Sequence, residues 1–158
     1  MKTNQNDTLK WLYNKMKDKI FVEEQILDYE NPIRGVYGIF VTDDIEERCV
    51  YVGRATNIYN RIFCGASAHL VKLRKEICEN QKINNAMKNK KEKIEIRVLA
   101  KIPCLYDNYN KDMQRLASKE SYYIDYFQGL NQCLEQRPDG RNMEEKIWLI
   151  EYERFHEV

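Results

Sequence analysis

The feature that most constrains the fold is a pair of short apolar segments separated by a polar one. Residues 35–41 read GVYGIFV and residues 48–53 read RCVYVG, and both are rich in β-branched and aromatic side chains. Between them, TDDIEE at 42–47 is polar and suits a turn. This pattern predicts a β-hairpin. Residues 94–102, IEIRVLAKI, alternate well enough to supply a third strand.

Helical patterns surround the three predicted strands, and together they indicate the α+β fold class. Asn57 precedes one of these helices as a capping residue. The predicted order α-β-β-α-α-β-α-α gives a small, mostly antiparallel, three-stranded sheet flanked by helices. The five predicted helices cover about residues 7–20, 58–63, 66–77, 110–128 and 142–156, and NNAMKNKK at 84–91 is a candidate for a further short, basic helix.

The composition argues against several classes of protein. No run approaches the roughly 18 apolar residues of a membrane span, and the N-terminal residues lack the apolar core of a secretory signal. The five cysteines form no CxxC pair, so neither a zinc site nor a disulfide framework is indicated. We therefore expect one domain of 158 residues in the cytoplasm, with no membrane partner.

Charge is unevenly distributed along the chain. The formal net charge is +1, but residues 54–93 hold ten Lys or Arg against three acidic residues, a net of +7 that leaves −6 for the remainder. A basic segment within an acidic remainder indicates a surface for a polyanion. A pair of lysine-rich helices that simply face solvent would give the same pattern.

One carboxylate falls where a helix normally places apolar side chains. At about 100° per residue, Leu116, Ile124 and Phe127 lie within one narrow arc of the predicted helix 110–128, and Glu120 lies in the middle of that arc. A carboxylate there is costly unless it is paired, protonated or bound to a cation. The interpretations are a metal-binding or catalytic carboxylate, a buried ion pair, or a side chain that reaches solvent at the edge of the stripe.

Five elements of the sequence, taken in order, resemble the signature of the GIY-YIG nucleases. GVY at 35–37 and YVG at 51–53 are similar to the two halves of that signature. On the following helix, Arg61 matches the family's catalytic arginine. Glu120 on a later helix matches its metal-binding glutamate, and Asn131 matches its final asparagine.

The resemblance covers about residues 33–132. It leaves residues 1–32 as an N-terminal helical extension and residues 133–158 as a C-terminal helix, all within a single domain. These terminal helices are candidates for DNA contacts or for a homodimer interface. A small enzyme of this form suits a restriction-like, phage-borne or mobile-element-borne nuclease.

The resemblance implies hydrolysis of DNA phosphodiester bonds with one Mg²⁺ or Mn²⁺ ion per site. Glu120 would hold the ion, and Arg61 would offer its planar fork of donors to the phosphate oxygens. Tyr37 or Tyr51 would help to deprotonate the attacking water, with Tyr37 the preferred base. A free phenol titrates at about 10, so nearby cations must lower the pKa of that tyrosine. Both tyrosines would equally suit an ordinary core on paired strands.

The sequence departs from the family at one catalytic position. The family often places a Tyr or His four residues after the arginine, where this chain has Gly65. One turn further on, His69 is the nearest substitute, and Tyr59 is a second candidate. A helix histidine is more often a surface or packing residue. Asn131 is expected in a supporting role, either orienting the segment near Glu120 or forming a turn.

The basic window begins directly after YVG and contains Arg61, which favours a DNA-binding surface for double-stranded DNA. Two alternatives remain: a nucleic-acid-binding or protein-interaction module that keeps the fold without catalysis, and an unrelated α+β enzyme. The candidates for DNA contacts are Arg54, Lys72, Arg74, Lys75, Lys82, Lys88, Lys90 and Lys91.

Overall fold

Helices flank a central sheet in the computed structural model, which describes residues 5–137 and 144–156. The four strands are β1 (Ile20–Val22), β2 (Gly35–Thr42), β3 (Glu47–Ala55) and β4 (Lys93–Lys101). The helices are α1 (Gln5–Lys15), α2 (Ile58–Phe63), α3 (His69–Lys75), α4 (Gln81–Lys88), α5 (Tyr109–Gln128) and α6 (Glu145–His156), and a 3-10 turn covers Glu24–Leu27.

The predicted hairpin is confirmed as β2 and β3. Its turn is held by Asp43, whose Oδ1 accepts hydrogen bonds from the backbone N–H groups of Ile45 and Glu46. Tyr51 pairs with Ile39 across the hairpin. Directly opposed residues and residues two apart share a face of a sheet. Tyr37, two residues before Ile39, therefore lies on the same face as Tyr51.

The α+β class is confirmed, but the prediction of three strands is wrong. The sheet has four strands in the order β1-β4-β2-β3, and β1 runs parallel to β4 with Ile20 opposite Ile94. Our sequence reading assigned Ile20 to the first helix, whereas α1 ends at Lys15. Ile20 lies four residues after Met16 and so continues the apolar stripe of the predicted helix, which includes Leu12 and Met16, while a three-residue strand is too short to show alternation.

Two apolar cores lie on opposite faces of the sheet. Helices α1 to α4 cover the face that carries Tyr37 and Ile39. The other face, with Val36 and Val52, packs against α5 through Ile124 and its neighbours. The first core is the larger, and it encloses the side chains of the proposed tyrosine pair.

The outer edge of β3 is closed by glutamine side chains from the segment after α5. Gln136 accepts from the backbone N–H of Val52 at 2.7 Å and donates to its carbonyl at 2.8 Å. In the same way Gln132 accepts from the N–H of Cys49 at 2.6 Å. Unpaired edge groups favour aggregation, and these side chains provide the partners that a fifth strand would supply.

The terminal helix α6 confirms most of the predicted helix at 142–156, of which residues 142 and 143 lie outside the described residues. Its aromatic stripe of Trp148, Tyr152 and Phe155 is exposed. None of the helices in the described residues combines the length and apolar character that a membrane span requires.

Candidate active site

Tyr37, Tyr51 and His69 form a cluster on the helix-covered face of the sheet. The hydroxyl of Tyr37 lies 2.6 Å from Nε2 of His69. The His69 ring lies 5.5 Å from each tyrosine ring, measured between centroids, and the tyrosine rings lie 6.3 Å apart. Tyr37 and His69 are buried, whereas Tyr51 is partly exposed. Strand β2, strand β3 and the first turn of α3 thus each contribute one ring.

Burial controls the protonation of this cluster. It raises the pKa of Tyr37 far above its ordinary value; the neighbouring Tyr51 adds to that rise, and the charge of Arg61 opposes it. Burial also raises the pKa of Tyr51, with Arg61 again opposing. The pKa of His69 falls to about 3, first through burial and then through the charges of Arg61 and Lys72. At neutral pH the tyrosines are therefore phenols and His69 is a neutral imidazole.

Arg61 was expected to lower the pKa of a tyrosine below its ordinary value, but only the direction of its effect agrees with that expectation. Arg61 does lower the pKa of both phenols, but desolvation outweighs it. With Tyr37 and His69 both neutral, one of them donates to the other, and the tautomer of the imidazole decides which. The resulting hydrogen bond is a path along which a proton can pass between strand β2 and helix α3.

Arg61 borders the cluster from helix α2. The capping residue Asn57 starts this helix by accepting from the N–H of Asn60 at 3.0 Å, as predicted. Nη1 of Arg61 donates to the carbonyl of Ser67 at 2.8 Å. This contact fixes the guanidinium at the lining of two cavities, of about 580 and 440 Å³. The larger cavity is also lined by Tyr51 and His69.

Glu120 is paired with an arginine. It lies on the face of α5 that buries Leu116 and Ile124, and its side chain is 15% exposed. Oε1 of Glu120 lies 2.7 Å from Nη1 of Arg54, whose side chain is 32% exposed. The ion pair that the sequence left open is therefore present. Arg54, which we predicted to contact DNA, is held at this carboxylate by the contact.

The carboxylate of Glu120 also acts on the tyrosines. Its charge raises the pKa of both Tyr37 and Tyr51, so it lies within electrostatic reach of their hydroxyls. Gly53 lies between these groups in sequence and opposite Tyr37 in the hairpin. A Cβ atom on Gly53 would lie 2.5 Å from the Tyr37 hydroxyl oxygen. The glycine of YVG is thus required by the packing of the tyrosine of GVY.

The side chains around Glu120 meet the requirements of a magnesium site only in part. Within residues 5–137 and 144–156, no three His, Cys, Asp or Glu side chains converge as a ready-made metal site. Mg²⁺, however, keeps several waters and often takes only one or two protein carboxylates. Glu120 offers a hard oxygen donor close to the tyrosine cluster. Because Arg54 contacts this carboxylate, an ion would have to share or displace that contact.

The remaining predicted residues are dispersed. Lys72 and Lys82 line the larger cavity, and Lys82 also pairs with Glu135 at 3.1 Å. Lys88 pairs with Glu76 at 3.7 Å. The other predicted DNA contacts face solvent, and they are Arg74, Lys75, Lys90 and Lys91.

Two weaker candidates occupy structural positions. Tyr59 is buried and packs against Phe63 with ring centroids 4.7 Å apart. Asn131 is exposed and adopts a left-handed backbone with φ of 60°, which suits a turn. Its supporting role in catalysis stays a prediction.

Comparisons with family models, with curated proteins and with solved structures found no match to this chain. The resemblance to the GIY-YIG nucleases therefore stays a prediction that rests on the residues of the two tripeptides, Arg61, Glu120 and Asn131. In the structure Tyr37, Tyr51 and Arg61 come together with His69, and Glu120 lies within electrostatic reach of the two tyrosines.

Proposed function

We propose that this protein is a magnesium-dependent endonuclease that hydrolyses phosphodiester bonds in DNA. The observation that carries the proposal is the hydrogen-bonded pair of Tyr37 and His69, in ring contact with Tyr51 and beside Arg61. Three of these residues line a cavity of about 580 Å³ that opens next to basic side chains. A purely structural core has no need of an arginine and a neutral histidine at a cavity wall.

The different burial of the two tyrosines indicates that they have different roles in the reaction. Tyr37, our preferred base from the sequence, is fully buried, whereas Tyr51 lines the cavity. We therefore assign to Tyr51 the contact with the attacking water or the phosphate. As Tyr51 takes a proton from the water it passes its own hydroxyl proton to Tyr37, and Tyr37 passes its hydroxyl proton to Nε2 of His69, which becomes an imidazolium. A bound phosphate near His69 would offset the charges of Arg61 and Lys72, and so would raise the basicity of the imidazole.

Arg61 and Glu120 supply the charges for this reaction. The guanidinium of Arg61 is positioned by Ser67 and stabilises the negative charge that grows on the phosphate oxygens. A magnesium ion, when bound, neutralises charge on the leaving oxygen. Glu120 is the residue that would hold it, in competition with its contact to Arg54.

A second candidate function is a DNA-binding module without catalysis. The Arg54–Glu120 ion pair favours it, because a carboxylate that is satisfied by an arginine has no need of a metal. The basic residues around the larger cavity serve either function equally. The two candidates differ in what happens to DNA once it is bound.

A plasmid-nicking assay of wild type and Arg61→Ala separates the two functions. The nuclease proposal expects nicking with Mg²⁺ but not with EDTA. It also expects that Arg61→Ala slows nicking by about 10²-fold or more while DNA binding is nearly retained. Arg115→Ala on α5 is the matched control, because Arg115 also donates to a backbone carbonyl, that of Pro103, and it should nick at the wild-type rate. Tight DNA binding without nicking in wild type would favour the non-catalytic module.

A further inference from the structure

The cavity beside the candidate active site has a construction that phosphate binding alone does not explain. Its volume is about 580 Å³, within the range of about 300 to 1,000 Å³ typical of small-molecule sites. The walls come from helix α3, the start of α4, residues 78–80 before it and residues 135–137. A phosphodiester backbone needs only a shallow basic groove, so a cavity of this size has room for a further group.

The chemistry of the cavity changes from its floor to its rim. Cys78 and Ile83 are buried, and they give the floor an apolar surface beside the partly exposed ring of Tyr51. The cations Lys82 and Arg137 are exposed and lie at the rim. An apolar interior beneath a cationic rim is complementary to a nucleotide, whose base is flat and apolar and whose phosphate is anionic.

An acidic residue in this lining supports the same ligand. Glu79 lines the cavity, and its charge raises the pKa of Tyr51, so the two groups are close. Among the described residues Glu79 forms no ion pair, whereas the other carboxylate of the lining, Glu135, is paired with Lys82. A carboxylate repels phosphate, but it accepts hydrogen bonds from the amino groups of bases.

We propose that this cavity receives one unpaired nucleobase next to the scissile phosphate. The inference rests on the proposed function and defines its substrate class. The preferred substrate is DNA with an unpaired nucleotide at the cleavage point, rather than a continuous duplex. A base in a continuous duplex must first leave the stack, which costs binding energy that an unpaired base does not lose. Glu79 favours a base with an exocyclic amino group over thymine.

The test compares the binding of two fluorescein-labelled duplexes in EDTA, one continuous and one carrying a single unpaired cytidine. Wild type should bind the second about tenfold more tightly. Gln81→Trp places an indole at the cavity from the exposed start of α4. This variant should lose the preference while its affinity for the continuous duplex stays the same. Asn85→Trp, one turn further along the exposed side of α4, is the control and should keep the preference.

A second variant keeps the inference testable if Gln81→Trp does not fold. Glu79→Gln should reduce the preference for an unpaired cytidine over an unpaired thymidine, with little change for the continuous duplex. Equal affinity of wild type for both duplexes would overturn the inference, as would equal loss of both affinities in Gln81→Trp. If wild type nicks DNA but binds both duplexes equally, only the inference of a base pocket is wrong. If wild type prefers the duplex with the unpaired cytidine but does not nick DNA, the pocket is supported and the nuclease proposal is wrong.

Discussion

His69 illustrates how the surroundings of a single residue set its chemistry. On sequence alone it is one of two histidines, placed one turn beyond the position where the resembled family often has a Tyr or His. In the fold it is buried against Tyr37 and Tyr51, close to the charges of Arg61 and Lys72. The imidazole that results is uncharged at neutral pH, and a negative charge that arrived nearby would raise its pKa.

The lowered pKa of His69 predicts a pH dependence of stability. In the unfolded chain the pKa of His69 is about 6.5, whereas in the folded protein it is about 3. Protonation therefore favours the unfolded state as the pH falls from 6.5 toward 3. The loss reaches about 1.4 kcal/mol for each pH unit in that window. Urea unfolding at about pH 7 and about pH 4.5 should show a smaller loss for His69→Gln than for wild type. Equal losses would show that His69 is readily protonated in the fold.

Gly53 is the second residue whose role depends on its neighbours. A methyl group at this position would lie 2.5 Å from both the Cζ atom and the hydroxyl oxygen of Tyr37. Gly53→Ala should therefore displace Tyr37 from His69 and lower the free energy of unfolding by about 1–3 kcal/mol. Gly129→Ala is the control, because Gly129 has a right-handed backbone and its nearest neighbour lies at 3.3 Å. A Gly53→Ala variant as stable as wild type would contradict this packing.

At the scale of elements, the predictable parts are those with strong local patterns. The alternation of apolar residues identified the hairpin, and helical spacing identified α5 within one residue at its start. The strand Ile20–Val22 was missed because Ile20 also continues a helical stripe, and three residues are too few to show the alternation of a strand. Its assignment depends on β4, more than 70 residues later, and local patterns carry no information about that pairing.

The site residues divide in the same way. The spacing of the tripeptides, Arg61 and Glu120 indicated a site, and Glu120 does lie on the apolar face of α5. The partner of Glu120 could not be foreseen, since Arg54 is 66 residues away and belongs to the basic segment that is predicted to contact DNA. Gln136 gave no signal, because a glutamine in a polar loop is ordinary until the fold places it at a strand edge.

The closure of β3 by Gln136 leads to a prediction at this scale. Gln136→Leu keeps the bulk of the side chain but leaves the N–H and carbonyl of Val52 without these partners. The variant should lose about 1–3 kcal/mol of stability, and the Val52 amide should exchange faster with solvent. Gln114→Leu is the control, since Gln114 is exposed on α5 and its side chain donates a hydrogen bond to the hydroxyl of Ser118 rather than to a strand edge. Unchanged exchange at Val52 would show that the edge is protected in another way.

For the molecule as a whole, the charge pattern and the terminal helices suggest how the site meets its surroundings. Residues 54–93, with their net charge of +7, supply α2, α3 and α4 beside the larger cavity. Helix α6 exposes the aromatic rings of Trp148, Tyr152 and Phe155. A homodimer through the terminal helices stays a prediction. The helices that carry these two features lie outside the sheet, while Tyr51 and His69 of the tyrosine cluster line the cavity.

The most direct test of the nuclease proposal is the Mg²⁺-dependent nicking rate of Glu120→Gln on supercoiled plasmid. This change keeps the shape of the side chain, but it removes the charge that would hold the ion and that pairs with Arg54. The account predicts a rate at least about 10²-fold below wild type. Asp125→Asn, which removes an exposed carboxylate from the same helix, should nick normally. A Glu120→Gln variant that nicks DNA at the wild-type rate would contradict the account.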